Sequence, residues 1–181
     1  MFYLHPHKFK TSTISATELI KSYRQGKTNF SQVNLTRTAL VDVNLAKIEL
    51  WRANLTEANL SLSTFTKAIL NESNFSYSNL WRTHLYKASL VKSKFSNALS
   101  IRACLEKANL SKALLNNADM RLANLKEANL SYADLSQANL SYADLSGANL
   151  EGANLQGAIL IGTNLDRADL NRTNLDKALL E

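Results

Sequence analysis

The stretch Ala128-Asn129-Leu130-Ser131-Tyr132-Ala133-Asp134-Leu135-Ser136-Gln137 holds one pattern twice: a small residue, Asn or Asp, Leu, then two polar or aromatic residues. Followed outward in both directions, the register never breaks. From Phe30 to Leu180 there are 31 such central positions, five residues apart, of which 25 are Leu. Four others are Phe (Phe30, Phe65, Phe75, Phe95), one is Met120 and one is Ser100. A fixed period over this length means one small unit stacked many times. A period of five suits neither an α-helix, at 3.6, nor a continuous strand, at two.

Two residues before each centre the site is restricted to small or β-branched side chains, and Ala fills 19 of the 31. A spacing of two is strand-like, so the centre and its small partner face the same side. The residue between them faces outward; it is Asn in 15 cases and Asp in four, placed to hydrogen-bond nearby backbone. The two residues after the centre form a corner. Short extended pieces joined by corners that always turn the same way make a coil, with large and small side chains filling it at native density.

The unit Ala-(Asn/Asp)-Leu-X-X, as in Ala128 to Gln137, resembles the pentapeptide-repeat family, and the resemblance covers residues 28–180. It implies an all-β right-handed quadrilateral β-helix, with four pentapeptides forming the four sides of a 20-residue coil. The chain then makes about seven and a half coils, a rod roughly 36 Å long at the ~4.8 Å spacing between paired strands. The family also includes proteins that mimic duplex DNA and inhibit DNA gyrase. Mimicry requires a negative surface, whereas this chain carries a net charge of +6, which disfavours a gyrase modulator.

The expected domain organisation is an N-terminal lead and capping helix over residues 1–27, then the β-helix over 28–181. Ser15-Ala16-Thr17-Glu18 reads as a capping box, Leu19, Ile20 and Tyr23 share a helical face, and Gly26 is a left-handed terminator. These signals predict one short helix at about residues 16–25 covering the first coil, because an open solenoid end exposes apolar centres and strand edges. Residues 1–14 read as an irregular lead. The C-terminus has no matching helix, and family precedent for end-to-end dimers makes a homodimer through the C-terminal coils an expectation. Ser100, flanked by Leu99 and Ile101, predicts a local bulge in which one of those neighbours takes the interior place. Gly147, Gly152, Gly157 and Gly162 follow the turn rhythm and predict positive-φ corners of type II turns.

Charge is uneven: residues 1–126 carry +11 and residues 127–181 carry −5. If coils are 20 residues long, Lys47, Lys67, Lys87 and Lys107 stack as one ladder, a candidate anionic-partner surface. Trp51, Trp81 and Tyr86 follow centres directly and face outward, and outward Trp is favoured at binding hot spots. Val41, Trp81, Ile101 and Ile161 share one column, with Leu62, Leu122 and Tyr142 in the next. That face is the preferred protein-contact surface. Nucleic acid ranks below a protein partner.

Nothing in the spacing suggests catalysis. Only three His exist, His5, His7 and His84, and a filled column leaves no substrate cavity. No cofactor or metal site is expected; His5 and His7 lack supporting ligands. Cys104, the one cysteine, rules out an intrachain disulfide and reads as an inert thiol with no His partner arranged near it. The chain shows neither a run of 18 apolar residues nor a signal peptide, so the expected compartment is the cytoplasm, away from membranes. The expected role is a non-catalytic scaffold that binds a protein partner.

Overall fold

The computed structural model describes residues 12–180. The first element, β1 (Ser12–Thr13), pairs in parallel with β2 (Val33–Asn34), Ser12 opposite Val33. The expected irregular lead is therefore corrected at its end: Ser12 and Thr13 supply a strand to the free edge of the first coil. The expectation for residues 1–11, including the reading of His5 and His7, lies outside the described residues.

Helix α1 (Ala16–Arg24) follows. Ser15 caps it, its hydroxyl accepting from the Glu18 N–H at 3.2 Å. Gly26, at φ +95°, ends it in a Schellman arrangement: Gly26 N–H donates to Tyr23 C=O and Lys27 N–H to Ser22 C=O. Leu19 is fully buried against the core, and Tyr23 Oη donates to Ala46 C=O at 2.7 Å.

From Thr28 onward the chain steps up by 20 residues per coil. Asn29 pairs with Glu49, Asn34 with Asn54, Ala39 with Asn59 and Asn44 with Thr64, all in parallel, and the same step continues to Ile159 with Leu179. Four pentapeptides thus complete each coil. The repeat around Leu55 shows why its sequence suits it. Leu55 N–H donates to Asn74 C=O (2.7 Å), Glu57 N–H to Ser76 C=O (3.0 Å) and Asn59 N–H to Thr38 C=O (3.0 Å), all between coils. Ala58 N–H closes the corner onto Leu55 C=O at 3.0 Å. The fifth donor, Thr56 N–H, goes to the Asn54 side-chain oxygen at 3.1 Å. All five backbone donors are satisfied, and the Asn before the centre supplies the one acceptor the backbone lacks.

The interior is a column of Leu centres and Ala partners, nearly all fully buried between Phe30 and Leu160. Phe75 and Phe95, one coil apart, stack at 4.7 Å between ring centroids. Where a buried Ser or Thr replaces Ala, its hydroxyl donates to a nearby carbonyl, as Thr83 does to Leu60 C=O (2.9 Å) and Ser93 to Leu90 C=O (2.6 Å). Among the described residues no buried side-chain nitrogen or oxygen lacks a partner.

The expected bulge at Ser100 is corrected. Ser100 itself points inward and is buried, its N–H donates to Asp119 C=O at 2.7 Å, and Leu99 stays exposed. The ladder above and below fixes the register, so a one-residue shift would break it on both sides for the burial of one side chain. Ser100 stacks between the Leu80 and Met120 positions, so the one flexible Met centre sits a coil away from the one small centre. A thioether chain is suited to such an irregular space.

Every corner has positive φ at the second residue after the centre. This includes 26 non-glycine residues with φ between 52° and 63°, as well as the four glycines. With the corner bond from the next small residue, these are type II turns.

Candidate docking face

The rod has four corner columns, each built from residues 20 apart. One carries the ladder Lys47, Lys67, Lys87 and Lys107. At its C-terminal end Lys107 meets Glu106 at 3.7 Å and Glu127 at 3.5 Å, and the Glu127 carboxylate, with Tyr86 next, raises the Lys107 pKa. Lys87 lies 5.1 Å from the Tyr86 ring centre, while Lys47 and Lys67 stay exposed.

A second column carries Arg52, Glu72, Lys92 and Lys112. Here the surface pairs with itself. Arg52 Nε donates to Glu72 at 2.6 Å and its guanidinium lies 4.3 Å from the Trp51 ring centre. Arg52, with the Trp51 indole adding to it, holds the Glu72 carboxyl below the ordinary glutamate range. A third column repeats this with Arg37, whose Nε donates to Glu57 at 2.8 Å and holds the Glu57 carboxyl down.

The fourth column differs. It reads Leu62, Arg82, Arg102, Leu122, Tyr142, and no other column at this second turn position carries an aliphatic side chain, although Val91 stands at the first turn position of the Arg52 corner. Leu62 is 40% exposed, Leu122 46% and Tyr142 64%. Each also holds φ near +60°, a region costing an L-residue roughly 1 kcal/mol. A side chain that is both wet and backbone-strained gives the fold little. At the first turn position of the same corner stand Val41, Trp81, Ile101 and Ile161, with Leu99 exposed across the rung. A depression of about 570 Å³ opens at its middle, lined by Ile101, Arg102, Arg121, Leu122, Asn139, Ser141 and Tyr142. Arg121 is held by Asp119 at 2.7 Å, which raises its pKa. Arg82 and Arg102 make no ion pair among the described residues; Arg82 rests 4.8 Å from the Trp81 ring centre.

Of the outward residues singled out from sequence, Trp81, Ile101 and Ile161 therefore share one side. Trp51 lies on the opposite side, ten residues away in the coil, engaged with Arg52 and Glu72. Tyr86 and the Lys ladder occupy the intervening corner.

The reading of Cys104 as lacking a His neighbour is corrected. His84 and Cys104 are parallel bridge partners on adjacent rungs. Their 20-residue spacing was the signal in the sequence. Among the described residues no three His, Cys, Asp or Glu converge as a metal-binding group.

A pentapeptide-repeat family model matches residues 28–71, 65–99, 103–141 and 143–181. The chain belongs to the pentapeptide-repeat family. Members of this family fold as right-handed quadrilateral β-helices and are structural rather than catalytic in general. Among solved structures, the chain is similar to a trypsin-treated form of QnrB1, a plasmid-mediated fluoroquinolone resistance protein. The two are 14% identical over 84% of this chain and 91% of that one, with a TM-score of 0.57. It is also similar to HetL, a pentapeptide repeat protein involved in heterocyst differentiation regulation from the cyanobacterium Nostoc sp. strain PCC 7120. There the identity is 28%, covering 92% of this chain and 97% of that one, with a TM-score of 0.43. Rfr23, from the cyanobacterium Cyanothece 51142, shares 22% identity over 88% of this chain and 97% of that one, at a TM-score of 0.39. No curated protein sequence matches. Among the described residues no helix of this pentapeptide-repeat rod is long and apolar enough to cross a membrane.

Proposed function

We propose that this pentapeptide-repeat protein is a non-catalytic scaffold of about seven and a half coils, closed at its N-terminal end by α1, that binds a protein partner in the cytoplasm. Its docking surface is the side bearing Leu62, Trp81, Ile101, Leu122, Tyr142 and Ile161. The carrying observation is the aliphatic corner, where Leu62 and Leu122 combine exposure with positive φ. The inter-coil ladder holds positive φ at every corner whatever the residue, so the turn does not call for leucine, and exposed apolar groups mark interaction sites.

The test is capture from the source lysate with two baits, the wild type and Leu62→Asn/Leu122→Asn/Tyr142→Asn. Asn accepts the left-handed region, so the variant removes apolar surface without loading the backbone. A partner held by the wild type and lost by the variant supports the reading. Identical captured sets would sink it.

The exposed Lys47 and Lys67, with Lys87 and Lys107, are a second contact surface, for an acidic partner region. Changing all four to Glu abolishes such a contact and leaves the aliphatic corner untouched. An end-to-end homodimer through the C-terminal coils is a further proposal. A monomeric mass by light scattering at micromolar concentration removes it. DNA mimicry and gyrase modulation run against the +6 charge, and likeness to QnrB1 extends to the fold alone.

A further inference from the structure

We infer that the occupant of the aliphatic corner is an amphipathic helix with acidic residues along one flank of its apolar stripe. This rests on the docking-face reading above and adds to it the chemistry and shape of the partner.

The shape follows from the backbone. Along this side each rung is hydrogen-bonded to the rungs above and below, as Leu80 N–H is to Leu99 C=O and Leu99 N–H to Ser78 C=O. No free strand edge runs along the flat, so a partner cannot add a strand there and must engage through side chains. A helix laid along the rod presents one apolar residue per turn, every ~5.4 Å, against rungs every ~4.8 Å. The mismatch is about 0.6 Å per step, tolerable over three or four rungs. The apolar side spans six coil steps from Val41 to Ile161, or about 29 Å, the length of roughly 19 helical residues. The depression between Ile101, Leu122 and Tyr142 takes one large anchoring side chain near the middle.

The charge follows from the arginines. Arg82 and Arg102 stand in the same corner column between Leu62 and Leu122, and among the described residues neither is in an ion pair. Elsewhere on the rod Arg37 and Arg52 find a Glu one coil further on, whereas the residues one coil beyond Arg82 and Arg102 are Arg102 and Leu122. Two unpaired cations along one edge of an apolar strip call for carboxylates on the matching flank of the occupant, where they set orientation and discriminate against basic partners.

The test uses Trp81 as its own reporter. Trp51→Phe leaves it the sole tryptophan. Three Trp-free 20-residue peptides are titrated against this protein: a Leu stripe flanked by Glu, the same peptide with Lys for every Glu, and a scrambled Glu version. The expected result is a saturable change in Trp81 emission with the Glu peptide, about tenfold weaker binding of the Lys twin, and no change with the scramble. Arg82→Gln/Arg102→Gln brings the Glu and Lys peptides to equal affinity. Equal binding of the two by the Trp51→Phe protein overturns the acidic-flank inference but leaves the docking face standing. Loss of no affinity in Leu62→Asn/Leu122→Asn/Tyr142→Asn places the peptide elsewhere and overturns both. No response to the Glu peptide overturns the inference, with the lysate capture then judging the face by itself. A response only to vesicles of phosphatidylserine and phosphatidylcholine makes the side a lipid contact and overturns both.

Discussion

The corner carrying Leu62, Arg82, Arg102, Leu122 and Tyr142 and the corner diagonally across, carrying Arg52, Glu72, Lys92, Lys112 and Tyr132, share the same turn. Both stand on buried centres, all Leu beneath the second corner and Leu60, Leu80, Ser100, Met120 and Leu140 beneath the first; both have φ near +60° and both close with the same bond. Apart from the Ser100 and Met120 centres, they differ in what projects. At the second corner Arg52, Glu72 and Trp51 satisfy one another; at the first, Leu62 and Leu122 face water and Arg82 and Arg102 stay unpaired. In a solenoid the interior fixes the fold and the outward positions are free to vary. A departure from polarity on one side is therefore evidence about binding and not about folding.

The largest effects lie where the two corners are alike. Leu60→Ala, beneath the aliphatic corner, and Leu70→Ala, beneath the paired one, each remove a fully buried centre. Each costs about 2–5 kcal/mol, and denaturant unfolding finds the two within about 1 kcal/mol of each other, the scatter expected for like sites. A larger gap means the two sides differ inside as well as outside.

Next in size are the effects at the glycine corners. A Cβ on Gly162 lies 2.6 Å from the Tyr142 ring, and one on Gly152 lies 2.6 Å from the Tyr132 ring. Since 26 other corners hold the same φ without glycine, these two glycines provide room for the tyrosine of the preceding coil. Gly152→Ala and Gly162→Ala cost about 1–2 kcal/mol by thermal unfolding. Tyr132→Ala recovers the steric part of the first and leaves the second unchanged. Failure of that rescue assigns the glycines to conformation instead.

The positive φ at every corner was not legible in the sequence, because only the glycine corners announce it. Lys, Arg, Glu and Leu at the same place give no local signal, and it is the inter-coil ladder that holds them there. The core was legible, since Leu at every fifth residue and Ala two before it can only face inward. The 20-residue coil was not a consequence of the five-residue period; it came with the family. Once it is known, the rest of the surface follows by addition. Val41, Trp81, Ile101 and Ile161 fall on one side, and the same sum puts His84 beside Cys104 and Glu72 beside Arg52. Ser100 misled local reading because its apolar neighbours were weighed alone, without the ladder that fixes register on both sides.

Smaller effects separate strain from function. Leu62→Asn and Leu122→Asn stabilise the rod by about 0.5 kcal/mol each, as Asn suits the left-handed region. Lys112→Asn at the opposite corner gains a similar amount. If the leucine changes instead destabilise by more than about 1 kcal/mol, those side chains serve the fold and the aliphatic corner loses its claim to be a binding surface.

The smallest effect belongs to the paired corners. Arg37 and Arg52 hold the Glu57 and Glu72 carboxyls below their ordinary range. A depressed carboxyl contributes stability that is complete above its unfolded pKa of about 4.3 and is lost as pH falls through the lower folded value. Glu57→Gln/Glu72→Gln accordingly lowers stability slightly at neutral pH, flattens the acid limb of the profile, and converges with the wild type as pH falls below about 4.3. A loss of the same size at pH 2 as at pH 7 would contradict the assignment. Both pairs are exposed, so the change is small and shrinks with salt.

The most direct test places a photo-crosslinking residue at position 122 in one protein and at position 112 in another, then irradiates each in source lysate. Leu122 and Lys112 are half a coil apart, with the same φ of 59°, on opposite corners of the rod. A discrete protein adduct from position 122 and none from position 112 is the expected result. Adducts from position 112 alone, or from both positions equally, would contradict a docking surface on the aliphatic side.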